Sequence, residues 1–303
     1  MVNHVLTTTG LYKSYGLLKA VRNLNLQVPE GSVFGILGPN GSGKSTTLSM
    51  LMGILHADKG YFKWFGQEPS AKNRRRIGAV LEQPNFYPYL SAEKNLEVVC
   101  RIKECSTKRI PEVLERVNLL HRRDSKFSTF STGMKARLAL GATLVADPEL
   151  LVLDEPTNGL DPQGIAEVRE LISDIAADGK TIIMASHILD EVEKVCTHVA
   201  VIKNGVLLAQ GDVSEILADT HQVELSGGDI QTLQQAVASY PSYSNSKLEG
   251  DRILVSLSEE PNPADINRFL FEKGQALSHL VVRKKRLEET FLELTTKGES
   301  TNN

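Results

Sequence analysis

The feature that most constrains this chain is the run Gly38-Pro39-Asn40-Gly41-Ser42-Gly43-Lys44-Ser45-Thr46. The apolar stretch before it, Ser32–Leu37, reads as a buried strand, and Thr46–Met52 reads as the helix that follows. A strand, a glycine-rich turn and a helix start place successive backbone N–H groups around one anion, and the helix dipole adds partial positive charge there. The glycines let the backbone approach a ligand closely and adopt positive φ. The spacing G-x-x-x-x-G-K-[ST] is that of a loop cradling a nucleoside triphosphate. Lys44 is expected to reach the β- and γ-phosphates, and the Ser45 hydroxyl to face Mg²⁺.

The flanking patterns set the fold class. Thr7–Lys13 and the alternating Ala20–Val28 read as strands, and Asp58–Gly66 brackets a hairpin strand over Tyr61–Phe65. Ile77–Leu81 is a further strand. Ser91 is a candidate N-cap for a helix over Ala92–Glu104, and Ile110–Val117 carries a second helical pattern. The short apolar runs Glu149–Leu153 and Thr181–Ala185 read as strands buried on both faces, alternating with helices over Gly164–Ala177 and Leu189–Cys196. Such βαβα alternation implies a largely parallel sheet covered by helices. From about residue 219 the order becomes β-α-β-β-α-β (strands Val223–Leu225, Ser246–Glu249, Arg252–Leu257 and Leu280–Lys284, helices Ile230–Tyr240 and Pro263–Glu272). That order suggests a small ferredoxin-like module. A closing helix over Leu287–Leu294 and a polar tail over 297–303 complete the expectation.

A second constellation follows the strand Leu150–Leu153, where two acids, Asp154 and Glu155, stand at a strand end expected to lie beside the phosphate loop. Asp154 is placed to hold Mg²⁺, and Glu155 to orient or deprotonate an attacking water. In these residues the chain resembles the ATP-binding subunit of an ABC transporter. Gly38–Ser45 is similar to the Walker A motif of that family, and Asp154 with Glu155 to Walker B and its catalytic glutamate. Tyr15 matches the aromatic that stacks on adenine. Gln83, in Glu82-Gln83-Pro84, matches the Q-loop glutamine that senses Mg²⁺ and the γ-phosphate. Asn158–Asp161 matches the D-loop, and His187 the switch histidine. The resemblance covers residues 5–215 and implies an α/β P-loop NTPase of ABC type: a mixed sheet core, an antiparallel β subdomain and an inserted helical subdomain near 86–145. The domain limits are then 1–218 for the cassette and 219–296 for the small C-terminal α+β module.

The family's signature motif, L-S-G-G-Q, has its match at Phe130-Ser131-Thr132-Gly133-Met134, where Ser131 and Gly133 are kept and Thr132 and Met134 are departures. A serine at a helix start still offers a hydroxyl and free N–H groups to phosphate. A literal Leu225-Ser226-Gly227-Gly228 lies downstream of Walker B beside an expected strand, and is read as a decoy. In the family the signature of one subunit closes on the Walker A nucleotide of another. The resemblance therefore implies a homodimer or heterodimer with composite sites, ATP and Mg²⁺ being bound between the subunits.

Composition excludes little and helps to choose a partner. The formal net charge of −3 argues against nucleic acid. Three cysteines without a C-x-x-C give neither a disulfide framework nor a zinc site. The start Met1–Val5 lacks a signal-peptide pattern, and no apolar stretch is long enough to span a membrane. The resemblance implies a separate integral membrane permease, reached through the helical insert with Phe86, Tyr87, Tyr89 and Leu90, and a place on the cytoplasmic side of the membrane, peripheral through that permease. The segment Arg286–Leu294 is similar to the close of stand-alone subunits of export-type permeases. The competing reading is a non-transport ABC ATPase acting on ribosomes or DNA.

Overall fold

The computed structural model describes residues 3–81, 85–217 and 221–283; the expected helix at 287–294 and the tail from 297 lie outside the described residues. The chain divides into two compact units between Val213 and Ser214, a few residues before the change in sequence character.

In the first unit β1 (His4–Tyr15), β2 (Leu18–Leu24) and β3 (Gln27–Pro29) open the chain. β4 (Val33–Leu37) and α1 (Lys44–Leu51) flank the phosphate loop, and β5 (Lys59–Trp64) follows. β1 pairs antiparallel with β2, β3 and β5. The strand expected over Ala20–Val28 is thus two strands. Asn23 takes a left-handed φ of 50°, and side chains replace the ladder at the break. Thr8 Oγ1 donates to Leu24 O (3.0 Å) and accepts from Leu26 N (2.7 Å), while Asn25 Oδ1 accepts from Gly10 N (2.8 Å). β5 pairs with β1 across the chain rather than forming a local hairpin; its Lys13–Asp58 and Ser14–Asp58 contacts hold that edge.

After β5 come α2 (Ala71–Arg75), β6 (Ile77–Val80), α3 (Ala92–Lys103), α4 (Ile110–Arg116), α5 (Thr132–Leu144), β7 (Leu150–Asp154), α6 (Pro162–Ala177), β8 (Thr181–Ser186), α7 (Leu189–Val195), β9 (His198–Lys203) and β10 (Val206–Asp212), and strands β6 to β10 join β4 in a second sheet. Its strand order is β10-β9-β4-β8-β7-β6, parallel except for β10. β4, β7 and β8 are buried at every position, which is why they read as unbroken apolar runs. One core joins both sheets: Leu6 and Leu11 of β1, Phe34 and Ile36 of β4, Leu48 and Leu51 of α1, Val152 of β7 and Ile183 of β8. Helices start where short polar side chains cap them: Ser91 accepts from Lys94 N (3.2 Å) and Ser131 from Met134 N (3.3 Å).

The second unit begins at Ser214, the second residue of α8 (Val213–Leu217). It contains β11 (His221–Ser226), α9 (Ile230–Val237), β12 (Tyr243–Glu249), β13 (Arg252–Leu257), α10 (Pro263–Glu272) and β14 (His279–Arg283). The sheet order is β12-β13-β11-β14, antiparallel throughout. The second βαβ strand is split from the first by an intervening strand, the arrangement of a split-βαβ fold. Val223, Leu225, Ile253 and Val255 on one sheet face pack on Leu233, Val237, Ile266 and Leu270 of the helices. The opposite face carries Glu224, which meets Arg252 Nη1, His279 Nε2 (3.1 Å) and Arg283 Nε (3.0 Å).

Candidate active site

The C-terminal ends of β4, β8 and β7 converge at one edge of the parallel sheet, the place where α/β folds bind ligands. β7 is not the direct neighbour of β4: β8 lies between them. The Asp154 strand end nonetheless lies beside the phosphate loop: Ser45 and Asp154 line one cleft, and Glu155 Oε1 is 3.4 Å from Lys44 Nζ. The inserted strand brings Ser186 and His187 between the two motifs.

The phosphate loop is a close-packed turn. Gly41 and Gly43 have φ of 80° and 102°. A Cβ at Gly38 would lie 2.3 Å from Ile202 O, and one at Gly43 2.3 Å from Ala20 O, so neither position admits a side chain. Lys44, 5% exposed, donates from Nζ to the carbonyls of Gly38 (2.8 Å) and Pro39 (3.4 Å) and lies 3.4 Å from Glu155 Oε1. Ser42 Oγ is buried with no hydrogen-bond partner among the described residues. A buried hydroxyl without a partner is costly. Ser42 and Lys44 both line the cavity at the loop, where a bound phosphate would bring further acceptors.

Glu155, just after β7, has a left-handed φ of 47°, a strained conformation for a residue with a side chain. Its N–H donates to Ala185 O (3.0 Å), and its Oε2 lies 2.8 Å from His187 Nδ1. The carboxylate thus sits between the Lys44 ammonium and the His187 ring. A cavity of about 390 Å³ gathers Tyr15, the loop from Asn40 to Thr46, Glu155, Asn158 and His187. Leu18 and Ala20 also line it, and no sequence pattern marks them, because they merely follow an exposed turn. An adjoining cleft of about 510 Å³ holds Ser45, Asp154, Glu155 and Lys135 against apolar walls from Val80, Phe127 and Leu153. Asp154 is buried at 5% exposure. The edge near Tyr15 is pinned by Asp58. Hydrogen bonds from Lys13 and from the Ser14 N–H hold that carboxyl down to about 2.

Ser131, Gly133 and Asp161 lie apart from this cavity. They line a separate hollow of about 490 Å³, with Met134, Arg137 and Gly164. Asp161 caps α6 by accepting from Gly164 N (2.8 Å), and Ser131 caps α5. Arg137 holds α5 in place, donating to the carbonyls of Val117 and Asn118 (3.3 Å each) and facing Glu167 (3.4 Å). Gln83 lies outside the described residues. Ser226–Gly228 has a local structural role: Ser226 Oγ donates to Asp251 O (3.1 Å), and a Cβ at Gly227 would meet Ala276 O at 2.4 Å. Burial disfavours the thiolate at two of the cysteines, pushing the Cys100 thiol up to about 12 and raising Cys196 as well.

Fold and site together define a P-loop nucleoside triphosphatase. Residues 21–158 match the ABC transporter family. The bacitracin transport ATP-binding protein BcrA of Bacillus licheniformis is 36% identical over 301 residues, covering 97% of this chain and 98% of that protein. The Nod factor export ATP-binding protein I of Cupriavidus metallidurans is 33% identical, with 96% of this chain and 97% of the relative covered. Among solved structures, cbiO1 from Clostridium perfringens, part of the ABC transporter complex cbiONQ, superimposes with a TM-score of 0.65 at 31% identity, covering 72% of this chain and 92% of that one. The chain belongs to the ABC transporter family, as an ATP-binding subunit that hydrolyses ATP and acts with a membrane permease.

Proposed function

We propose that this subunit powers an exporter, and that two cassettes close head to tail so that each nucleotide lies between the phosphate loop of one chain and Ser131 and Gly133 of the other. The observation that carries the dimer is the separation within one chain: Lys44 and Glu155 share a cavity that Ser131, Gly133 and Asp161 do not line. Export is supported by the names of the relatives, which transport bacitracin and export Nod factor.

In this reading the phosphate loop N–H groups, Ser42 Oγ and Lys44 hold the β- and γ-phosphates, and Tyr15 stacks on the base. Ser45 and Asp154, with Gln83, form the hard oxygen donor set that suits Mg²⁺. The metal, when bound, neutralises charge on the phosphate oxygens. Glu155 accepts a proton from the water that attacks the γ-phosphorus, as the bond to the β–γ bridging oxygen breaks. His187 holds the Glu155 carboxylate through its Nδ1 contact and faces the γ-phosphate. The Ser131 hydroxyl and the α5 N-terminus of the second chain meet the same phosphate from the other side. Among the described residues no helix is long and apolar enough to cross a membrane. We place the chain on the cytoplasmic face of the membrane, held there by the permease, with exposed Tyr87 and Tyr89 of the helical insert as docking residues.

The test is affinity purification of the full chain from detergent-solubilised membranes, followed by reconstitution of what co-purifies. An integral membrane protein that raises the ATPase rate in liposomes is expected. Co-purification with ribosomal particles or DNA, and no membrane partner, would overturn the reading.

A further inference from the structure

One buried acid of the cassette takes no part in the chemistry described above. Glu191, on α7, is 4% exposed. Its Oε2 accepts a hydrogen bond from the Thr157 hydroxyl, itself 4% exposed. Its Oε1 has no hydrogen-bond partner among the described residues. A carboxylate kept in such surroundings works against stability, so its contribution has to be sought elsewhere.

Thr157 sits in the turn that leaves Glu155. Asn158 N donates to Glu155 O (3.1 Å) and Leu160 N to Thr157 O (3.2 Å), so the turn from Glu155 to Asp161 is a single hydrogen-bonded unit. At its other end the Glu191 contact rests on α7, which packs on β4, the strand that leads into the phosphate loop. α7 is seated on β4 at Gly35, where a Cβ would lie 2.8 Å from Val192 Cγ1 and 2.9 Å from Cys196 Sγ. Such close packing leaves α7 little freedom to slide on the strand that bears the loop. α7 also begins just after His187, which contacts Glu155 directly. The Glu155 turn is therefore held twice, by His187 at the carboxylate and by Glu191, through α7 on β4, at Thr157.

We infer that Glu191 is a positioning residue for ATP hydrolysis: by holding Thr157 to a helix locked on β4, it sets the distance and direction of the Glu155 carboxylate relative to the phosphate loop. The inference rests on the reading of Glu155 as the base. Glu191 does not line the cavity around Lys44, so its effect is on turnover and not on nucleotide affinity.

The experiment compares basal ATPase kinetics of the full chain carrying Glu191→Ala, Glu191→Gln, Thr157→Val and the double change Glu191→Ala with Thr157→Val, together with binding of a fluorescent ATP analogue. A small misplacement of a reacting group costs ~10- to 100-fold in rate, and that loss in kcat is expected for Glu191→Ala and Thr157→Val. KM and analogue affinity should stay within about twofold. The double change should be no worse than either single one, as for two residues acting through one contact. Glu191→Gln retains an acceptor for the Thr157 hydroxyl and should keep most of the rate. A wild-type kcat in Thr157→Val, a Glu191→Gln variant as slow as Thr157→Val, additive losses, or a loss confined to KM would each overturn the proposal. If Glu191→Ala fails to fold, the two conservative variants still decide it. A Glu155→Gln control separates the two readings: if it hydrolyses ATP normally, the assignment of the base has failed, whereas an inert Glu155→Gln beside an unaffected Thr157→Val sinks the positioning role alone.

Discussion

The cassette and the C-terminal module each contain a serine with a glycine one or two positions on, and they use the pair in opposite ways. In the cassette Ser131 is exposed at the start of α5, and a Cβ at Gly133 would meet nothing nearer than Gly164 Cα at 4.0 Å. In the module Ser226 ends a strand, with its hydroxyl on Asp251 O and its carbonyl accepting from Ser278 N, and Gly227 is pressed against Ala276 O. Buried charge follows the same division. Glu224 of the module is surrounded by Arg252, Arg283 and His279. In the cassette Ser42 Oγ and Glu191 Oε1 lack partners among the described residues. The module spends its polar groups on its own fold, while the cassette leaves buried polar atoms at and behind its site without protein partners. A motif therefore carries function only where the surrounding structure leaves its polar groups uncommitted.

The sharpest way to break this comparison lies at Glu155. Glu155→Gln is expected to lower turnover at least ~100-fold, the scale of a lost general base, while ATP still binds and the closed dimer accumulates; rapid hydrolysis in single-turnover assays would contradict it. Next comes the pair of serines. Ser131→Arg, placed in one chain of a mixed dimer, should silence the site it faces and spare the other. Ser226→Ala should leave the ATPase rate within about twofold of wild type, because the contact it removes is a local hydrogen bond worth roughly 1 kcal/mol. Equal damage from both changes would erase the distinction drawn between the two motifs.

Smaller effects test whether the module is a separate cooperative unit. Leu233 and Ile253 are fully buried in its core. Leu233→Ala should destabilise the module by about 2–5 kcal/mol and lower its melting transition, with cassette turnover retained. Acid provides the mildest probe. Arg252, with further help from Arg283 and His279, holds the Glu224 carboxyl below its ordinary value of 4.5. Because the folded state favours the ionised form, this contribution is fully present above that value and is lost as pH falls through the lowered one. Hydrogen exchange of β11 should rise in acid, and Arg252→Met should move that rise to higher pH.

Much of the fold could be read from the chain because it is locally encoded. The strand, turn and helix around Lys44 follow from glycines at positive φ, and the α3 start follows from Ser91. The fully apolar runs of β7 and β8 could mean only strands covered on both faces. The break between β2 and β3 was not legible, since it depends on Thr8 and Asn25 reaching across from other parts of the chain. Leu18 and Ala20 carry no signal because they merely follow an exposed turn, and Glu191 looks in sequence like any acid on a short helix.

By itself the sequence determined the nucleotide chemistry: a loop that cradles phosphates, two acids at a strand end, and a serine and an aspartate that start helices. Each of these depends on backbone geometry that adjacent residues dictate. The tertiary structure decided what those residues face. Placing β8 between β4 and β7 set His187 against Glu155, buried Glu191 against Thr157, and left Ser131 outside the cavity of Lys44. Strand order and packing arise from contacts between residues far apart in the chain, and local pattern does not encode them.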